Sequence, residues 1–245
     1  MQWRNRPVIY EINTVVWVNE LRARYQQPLT LGNVPAQEWD ALGALNADAV
    51  WFMGVWERSP EGIAVSNANA SLQDEVRRAL PDYRIGDNVG SAYCVRAYTV
   101  AAELGGAEGL AIARKELAAR GLRLILDFVP NHVARDHVWA TEHPEYFVRG
   151  SEQDLAHLPH EFFRGGGGDI IANGRDPYFA PWRDVAQLNA FDAGLRAAAL
   201  ETVLSIAAQC DGMRCDMAML MLNDIFAKTW GARAGANVAD ARGSS

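Results

Sequence analysis

The chain has 245 residues, 49% hydrophobic and 22% charged, enough for one large domain or two small ones around a real core. A formal net charge of -7 argues against a nucleic-acid-binding surface, so no nucleic-acid partner is expected. No run of about 18 or more apolar residues marks a membrane span, and the opening MQWRNRPVIYEI has no apolar stretch of signal-peptide type. No membrane partner is expected, and the cytoplasm is the expected compartment.

Cys94, Cys210 and Cys215 are odd in number and lack CxxC spacing, so neither a disulfide framework nor a zinc site is indicated. Buried reduced thiols are the plain reading. Lys115 and Lys228 are the only lysines among many arginines, which reads as genome composition rather than function.

In chain order, Pro7 to Val18 is β-branched and aromatic and predicts a first strand. Pro35 to Leu45 places Trp39, Leu42 and Leu45 on the apolar face of a short helix. Asp48 to Trp56 is a near-continuous apolar run, a second strand, and the three together make a βαβ unit. Residues 59–91 are polar, with a helix predicted from Leu72 to Leu80, in the position where binding loops are found. Tyr93 to Val100 reads as extended. Gly109 to Arg120 carries Leu110, Ala113, Leu117 and Ala118 on one face and stops at Gly121, a C-cap signal.

Leu122 to His132, LRLILDFVPNH, reads as a third strand buried on both faces, with its polar residues at the carboxyl end. Ligands of parallel α/β folds bind at that end, which makes Asp127, Asn131 and His132 the first candidates. Residues 133–189 are rich in His, Pro, aromatics and Gly, without a sustained period, and predict a loop-rich insertion. Ala193 to Gln209 returns as an amphipathic helix with Leu195, Ala199, Val203 and Ile206 inward, and Cys210 to Leu222 begins as a fourth strand. From Gly231 large apolar residues vanish, which predicts a disordered tail over 231–245.

Two strand ends therefore carry acids. In Gly212-Met213-Arg214-Cys215-Asp216, strand alternation puts Arg214 and Asp216 on the same side. An Arg beside an Asp keeps it ionised, as a carboxylate nucleophile requires, although an Arg-Asp pair at a strand end can also be purely structural.

These residues resemble the α-amylase family, glycoside hydrolase family 13. Asp127-Phe128-Val129-Pro130-Asn131-His132 matches that family's D-x-V-x-N-H signature, and Gly212 to Asp216 matches its G-x-R-x-D signature. GSAYCVRAYTVAAELGG and DAVWFMGVWERSP resemble further family segments, and the insertion resembles its small B domain. The resemblance implies an α/β fold of TIM (β/α)8-barrel type with about the first four βα units present. The expected layout is barrel over 1–132, insertion over 133–189, and barrel again over 190–230.

By the same resemblance, Asp216 is the nucleophile of a retaining reaction on α-linked glucans, held ionised by Arg214. Asp127 and His132 contact or support the sugar, and Tyr93 stacks on it. Asn131 stands where many members bind a structural calcium, but Met219 and Leu220 replace the family's Lys and His, which counts against that site. Calcium is the one cofactor the resemblance raises. Ala97 replaces an Asp that is common beside Tyr98. The family's acid/base Glu and a further Asp belong to later strands, so a partial chain with weak or absent hydrolase activity is expected; a saccharide is the expected partner, and a homodimer would cover exposed strand edges.

Other candidates are weaker. His132, His137, His143, His157 and His160 lack HxH or HExxH spacing, and Gly165 to Gly168 lacks the G-K-[ST] of a phosphate loop and reads as a mobile loop tip. Trp51, inside a strand, reads as core. Trp139 and Trp182 stand evenly between core and sugar platform, and Glu57 between cleft and surface. A non-catalytic half barrel that binds saccharide or protein is the alternative.

Overall fold

The structure, a computed structural model, describes residues 3–234. Its elements are β1 (Ile9–Asn13), α1 (Thr14–Tyr25), α2 (Ala36–Gly43), β2 (Ala49–Met53), β3 (Trp56–Arg58), α3 (Pro60–Asn67), α4 (Ala70–Ala79), β4 (Val95–Val100), α5 (Gly106–Ala119) and β5 (Arg123–Phe128). They continue as β6 (His132–Ala134), α6 (Trp139–Glu142), α7 (Glu152–His157), β7 (Phe162–Arg164), β8 (Ile170–Gly174), β9 (Trp182–Gln187), α8 (Ala193–Gln209), β10 (Gly212–Cys215) and α9 (Asn223–Trp230). The chain divides into two compact units. The first comprises Met1–Glu57, Tyr98–Phe128 and Glu201–Cys215, and the second Arg58–Ala97, Val129–Leu200 and Asp216–Ser245.

The first unit is built on a parallel sheet in the order β1-β2-β5-β10, so the fold is α/β. Its central strands are buried on both faces, which is why they read as apolar runs rather than alternations. Trp17, Trp39 and Phe52 pack with ring centroids 5.4 to 6.4 Å apart, joining α1, α2 and β2. Burying side chains of this size contributes roughly 1.5 to 3 kcal/mol each. β10 pairs with β5 in register, and the turn that leads into it is tied to α5 and β5. Arg114 of α5 donates to the Ala208 and Cys210 carbonyls and to Asp211 Oδ1 at 2.6 to 3.0 Å, while Asp211 Oδ2 accepts from the Leu124 N–H at 2.9 Å.

The predicted first strand is shorter than expected. It ends at Asn13, whose side chain accepts from the Val16 N–H and caps α1, so Val15 to Val18 is helical despite its β-branching. Gly54, at φ 76, divides the expected second strand into β2 and β3. Leu45 lies beyond α2 and is exposed. Helix α5 begins three residues before the predicted Gly109 and exposes Ala118, but it ends where Gly121, at φ 76, was expected to stop it.

In the second unit, residues 133–189 are not mainly loop. With His132 they form an antiparallel sheet in the order β6-β9-β8-β7. One cluster packs Val133, Phe147, Phe163, Ile171, Ala186 and Leu188, and another packs Val148, Phe162, Ile170, Ala172, Phe226 and Trp230. Phe162 and Phe163 thus enter different clusters, as do Ile170 and Ile171. A sheet buried on both faces, with strands of three to six residues, leaves no period-two signal.

Helix α3 was also unforeseen. Its start is signalled by Ser59, which accepts from the Gly62 N–H at 2.8 Å, and by Pro60 at the first helical position. Its only fully buried residue is Gly62, so no apolar stripe marks it. Helix α4 begins at Ala70, two residues before the predicted Leu72. Of the cysteines, Cys94 and Cys210 are buried, and burial pushes both thiols up; Cys215 is exposed, contrary to expectation. Gly231–Ala234 form a turn of 3-10 helix, and the rest of the expected disordered tail lies outside the described residues. No helix among the described residues is long and apolar enough to cross a membrane.

Candidate functional site

The first unit places Asp127 and Arg214 as register partners on β5 and β10. Adjacent parallel strands in register present partners on one face, and the Arg214 Nη1 to Asp127 Oδ1 distance is 3.9 Å. The Asp127 carboxylate is buried and accepts from Trp51 Nε1 and from the Gly54 N–H, both at 3.1 Å. Trp51 is therefore more than core packing. Its ring also lies 4.9 Å from the Arg214 guanidinium carbon. The left-handed turn at Gly54 aims a backbone donor at Asp127, which a glycine in an apolar run hinted at.

The second unit contains a cavity of about 350 Å3 lined by Tyr93, His132, Trp182, Asp184, Asp216 and Met217, among others. Four of the six site residues expected from sequence meet here: Asp216, His132, Tyr93 and Trp182. Asp127 and Arg214 belong to the first unit. Strand β10 ends at Cys215, so Asp216 follows the strand instead of extending it. Met217 is left-handed at φ 49, one of three non-glycine residues with positive φ among the described residues, and strain of this kind concentrates at functional sites.

His132 is buried and packs edge-on to Trp182, with ring centroids 5.3 Å apart at 61°. Burial pushes its pKa down to about 4, against a smaller opposing effect of a hydrogen bond with the Tyr93 backbone. The ring is neutral at pH 7 and enters the cavity uncharged. Trp182 is partly buried against Cys94, Ala134 and Val185 while it lines the cavity. Trp139 is likewise partly buried: it packs on the first hydrophobic cluster and edge-to-face on Tyr146 at 5.6 Å.

Asp184, two residues after Trp182 on β9, was not singled out from sequence. The Trp-x-Asp spacing on one strand was the available signal. Burial raises its carboxyl pKa, opposed by a backbone hydrogen bond and by the Arg135 charge. The cavity thus holds two carboxyl groups, Asp184 and Asp216, with an aromatic and an imidazole. Such a lining can stack on a sugar ring and accept hydrogen bonds from its hydroxyls.

Asn131 does not fit a calcium site as placed. Its side-chain oxygen accepts from Gln187 Nε2 at 3.0 Å, and its nitrogen faces His132 Nδ1 at 3.2 Å. Among the described residues no group of three or more His, Cys, Asp or Glu side chains is placed to hold a metal ion.

No family model matches the chain, and no curated protein matches it. Solved structures do. An α-amylase from Lactobacillus plantarum is 20% identical, over 96% of this chain and 43% of that one, with a TM-score of 0.57. A trehalose-6-phosphate hydrolase from Bacillus licheniformis is 16% identical, over 98% of this chain and 41% of that one, with a TM-score of 0.59. An isomaltulose synthase variant from Erwinia rhapontici, solved with sucrose, has the same identity, coverages and TM-score. The chain spans about two-fifths of the length of these proteins. It has the fold of α-amylase-type enzymes over that part of their structure.

Proposed function

We propose that the chain is a partial member of the α-amylase family, carrying the nucleophile side of a retaining hydrolase or glucanotransferase for α-linked glucans. In this reading the parallel sheet is the first part of a (β/α)8 barrel, and residues 133–189 are its B-domain-like insertion. Asp216 attacks the anomeric carbon and His132, Tyr93 and Trp182 hold the sugar, while Arg214 and Asp127 keep the supporting roles that the resemblance gives them. What supports the reading is the meeting of Asp216, His132, Tyr93 and Trp182 around one cavity.

A retaining mechanism needs a second, protonated carboxyl about 5 Å from the nucleophile, and general acid catalysis typically supplies roughly 10²- to 10⁴-fold. The family's acid/base Glu is assigned to no residue of this chain. Weak or absent hydrolysis of ordinary glycosides by the chain alone follows.

The test uses a leaving group that needs no protonation. Incubation with 5-fluoro-α-glucosyl fluoride should add one fluoroglucosyl group to the intact mass, and Asp216→Ala should abolish the adduct. Rapid turnover of maltooligosaccharides by Asp216→Ala would overturn the assignment.

A second reading is a non-catalytic half barrel that binds a saccharide or a second copy of itself. The sheet order favours it: β1 and β10 are the outer strands, and Val8, Ile9 and Tyr10 are exposed. Saccharide binding unchanged by Asp216→Ala, with no adduct and a dimeric mass by light scattering, would select it.

A further inference from the structure

Gln187 is fully buried on β9, and main-chain atoms dictate which way its amide points. Its Oε1 lies 3.3 Å from the Arg175 N–H, while its Nε2 lies 2.9 Å from the Asn131 carbonyl and 3.0 Å from the Leu188 carbonyl. Reversing the amide would set an oxygen against two carbonyl oxygens and a donor against a donor. Backbone groups cannot exchange these roles, so the orientation is determined.

The same logic passes outward. Gln187 Nε2 donates to Asn131 Oδ1 at 3.0 Å, and Gln187 Oε1 accepts from Asn131 Nδ2 at 3.3 Å, which orients the Asn131 amide. Asn131 Nδ2 then directs its other hydrogen at His132 Nδ1, 3.2 Å away. A nitrogen that faces an N–H is an acceptor, so the ring proton of neutral His132 resides on Nε2.

We propose that Gln187 is a positioning residue which, acting through Asn131, holds His132 as the Nε2–H tautomer at the cavity wall. An Nε2–H suits the hydrogen bond between His132 and the Tyr93 backbone, whose carbonyl can only accept, and so ties two cavity-lining residues together. The opposite tautomer would turn a ring N–H on the Asn131 amide donor, and that contact would become repulsive. The consequence for a bound sugar rests on the function proposed above; the tautomer itself does not.

Long-range 15N–1H spectra of the labelled full chain at pH 7.5 read the tautomer directly. Wild-type protein should show a protonated Nε2 and an unprotonated Nδ1 for His132. Gln187→Met should give averaged shifts from a tautomer mixture. Asn131→Asp, isosteric and acceptor-only toward the ring, should move the proton to Nδ1 and serves as the deciding variant if Gln187→Met does not fold. A wild-type Nδ1–H, a folded Gln187→Met with unchanged shifts, or an Asn131→Asp that keeps the wild-type tautomer would each overturn the proposal. Adding maltotriose to the same sample separates the two ideas: unmoved His132 and Trp182 signals would count against the saccharide site and leave the tautomer assignment standing.

Discussion

Arg214 and Asp127 face each other across β10 and β5, and the Asp127 carboxylate also accepts from two neutral donors, Trp51 Nε1–H and the Gly54 N–H. The ion pair is long, at 3.9 Å, and the Arg214 side chain is 37% exposed, so it contributes about 1 kcal/mol or less. The buried Trp51 Nε1–H and Gly54 N–H are the larger stake, because each donor left without an acceptor costs roughly 1 to 3 kcal/mol. Asp127→Ala should therefore lower unfolding stability by about 3 kcal/mol in urea, and Asp127→Asn, which keeps one acceptor, by roughly half as much. Equal losses for the two variants would show that charge, not acceptor capacity, is what matters.

Acid should unfold the protein through two buried histidines. Burial lowers the pKa of His132 and of His137 to about 4, from an ordinary 6.5. Below pH 6.5 the unfolded chain gains protons that the folded chain refuses until about pH 4. The stabilisation is complete above 6.5 and is lost as the pH falls toward 4, on the order of 3 kcal/mol per ring. The urea midpoint should drop between pH 7 and 4.5, and His137→Gln should flatten that slope. A midpoint independent of pH over this range would contradict the burial argument.

Gly174 gives β8 its close approach to the cavity residues. A Cβ there would stand 2.7 Å from Val185 Cγ2, 3.3 Å from His132 Cβ and 3.4 Å from Trp182 Cε3. Overpacking of this kind costs typically 1 to 3 kcal/mol. Gly174→Ala should lower the thermal midpoint and perturb Trp182 fluorescence, whereas Gly86→Ala, with open space around its Cβ, should do neither.

Trp182 should matter for binding more than for folding, because it lines the cavity and is only partly buried. An aromatic face contributes about 0.5 to 1.5 kcal/mol beyond area burial, so Trp182→Ala should weaken maltotriose binding roughly 3- to 10-fold by calorimetry. Trp139→Ala, which removes a ring packed on the first hydrophobic cluster, should instead reduce stability and leave the affinity of the folded fraction intact. The reverse pattern would exchange the two roles.

The parallel strands were legible because burial on both faces writes an uninterrupted apolar run, and glycines at 54 and 121 mark where the chain must turn left-handed. The antiparallel sheet of residues 132–187 was not, since its short strands send successive residues into different clusters and leave no alternation. Helix α1 was hidden for another reason: the Asn13 cap overrode the β preference of Val15, Val16 and Val18.

By itself the sequence determined the α/β class, the acids at two strand ends and the candidates Asp216, His132, Tyr93 and Trp182, because those features are local or carried by short motifs. Only the tertiary structure decided that Asp127 accepts from Trp51 and Gly54, that Asp184 joins the cavity, and that Gln187 orients Asn131 toward His132. Those relations depend on which donor meets which acceptor across strands distant in the chain. No periodicity encodes such pairings, and they exist only once packing has brought the strands into register.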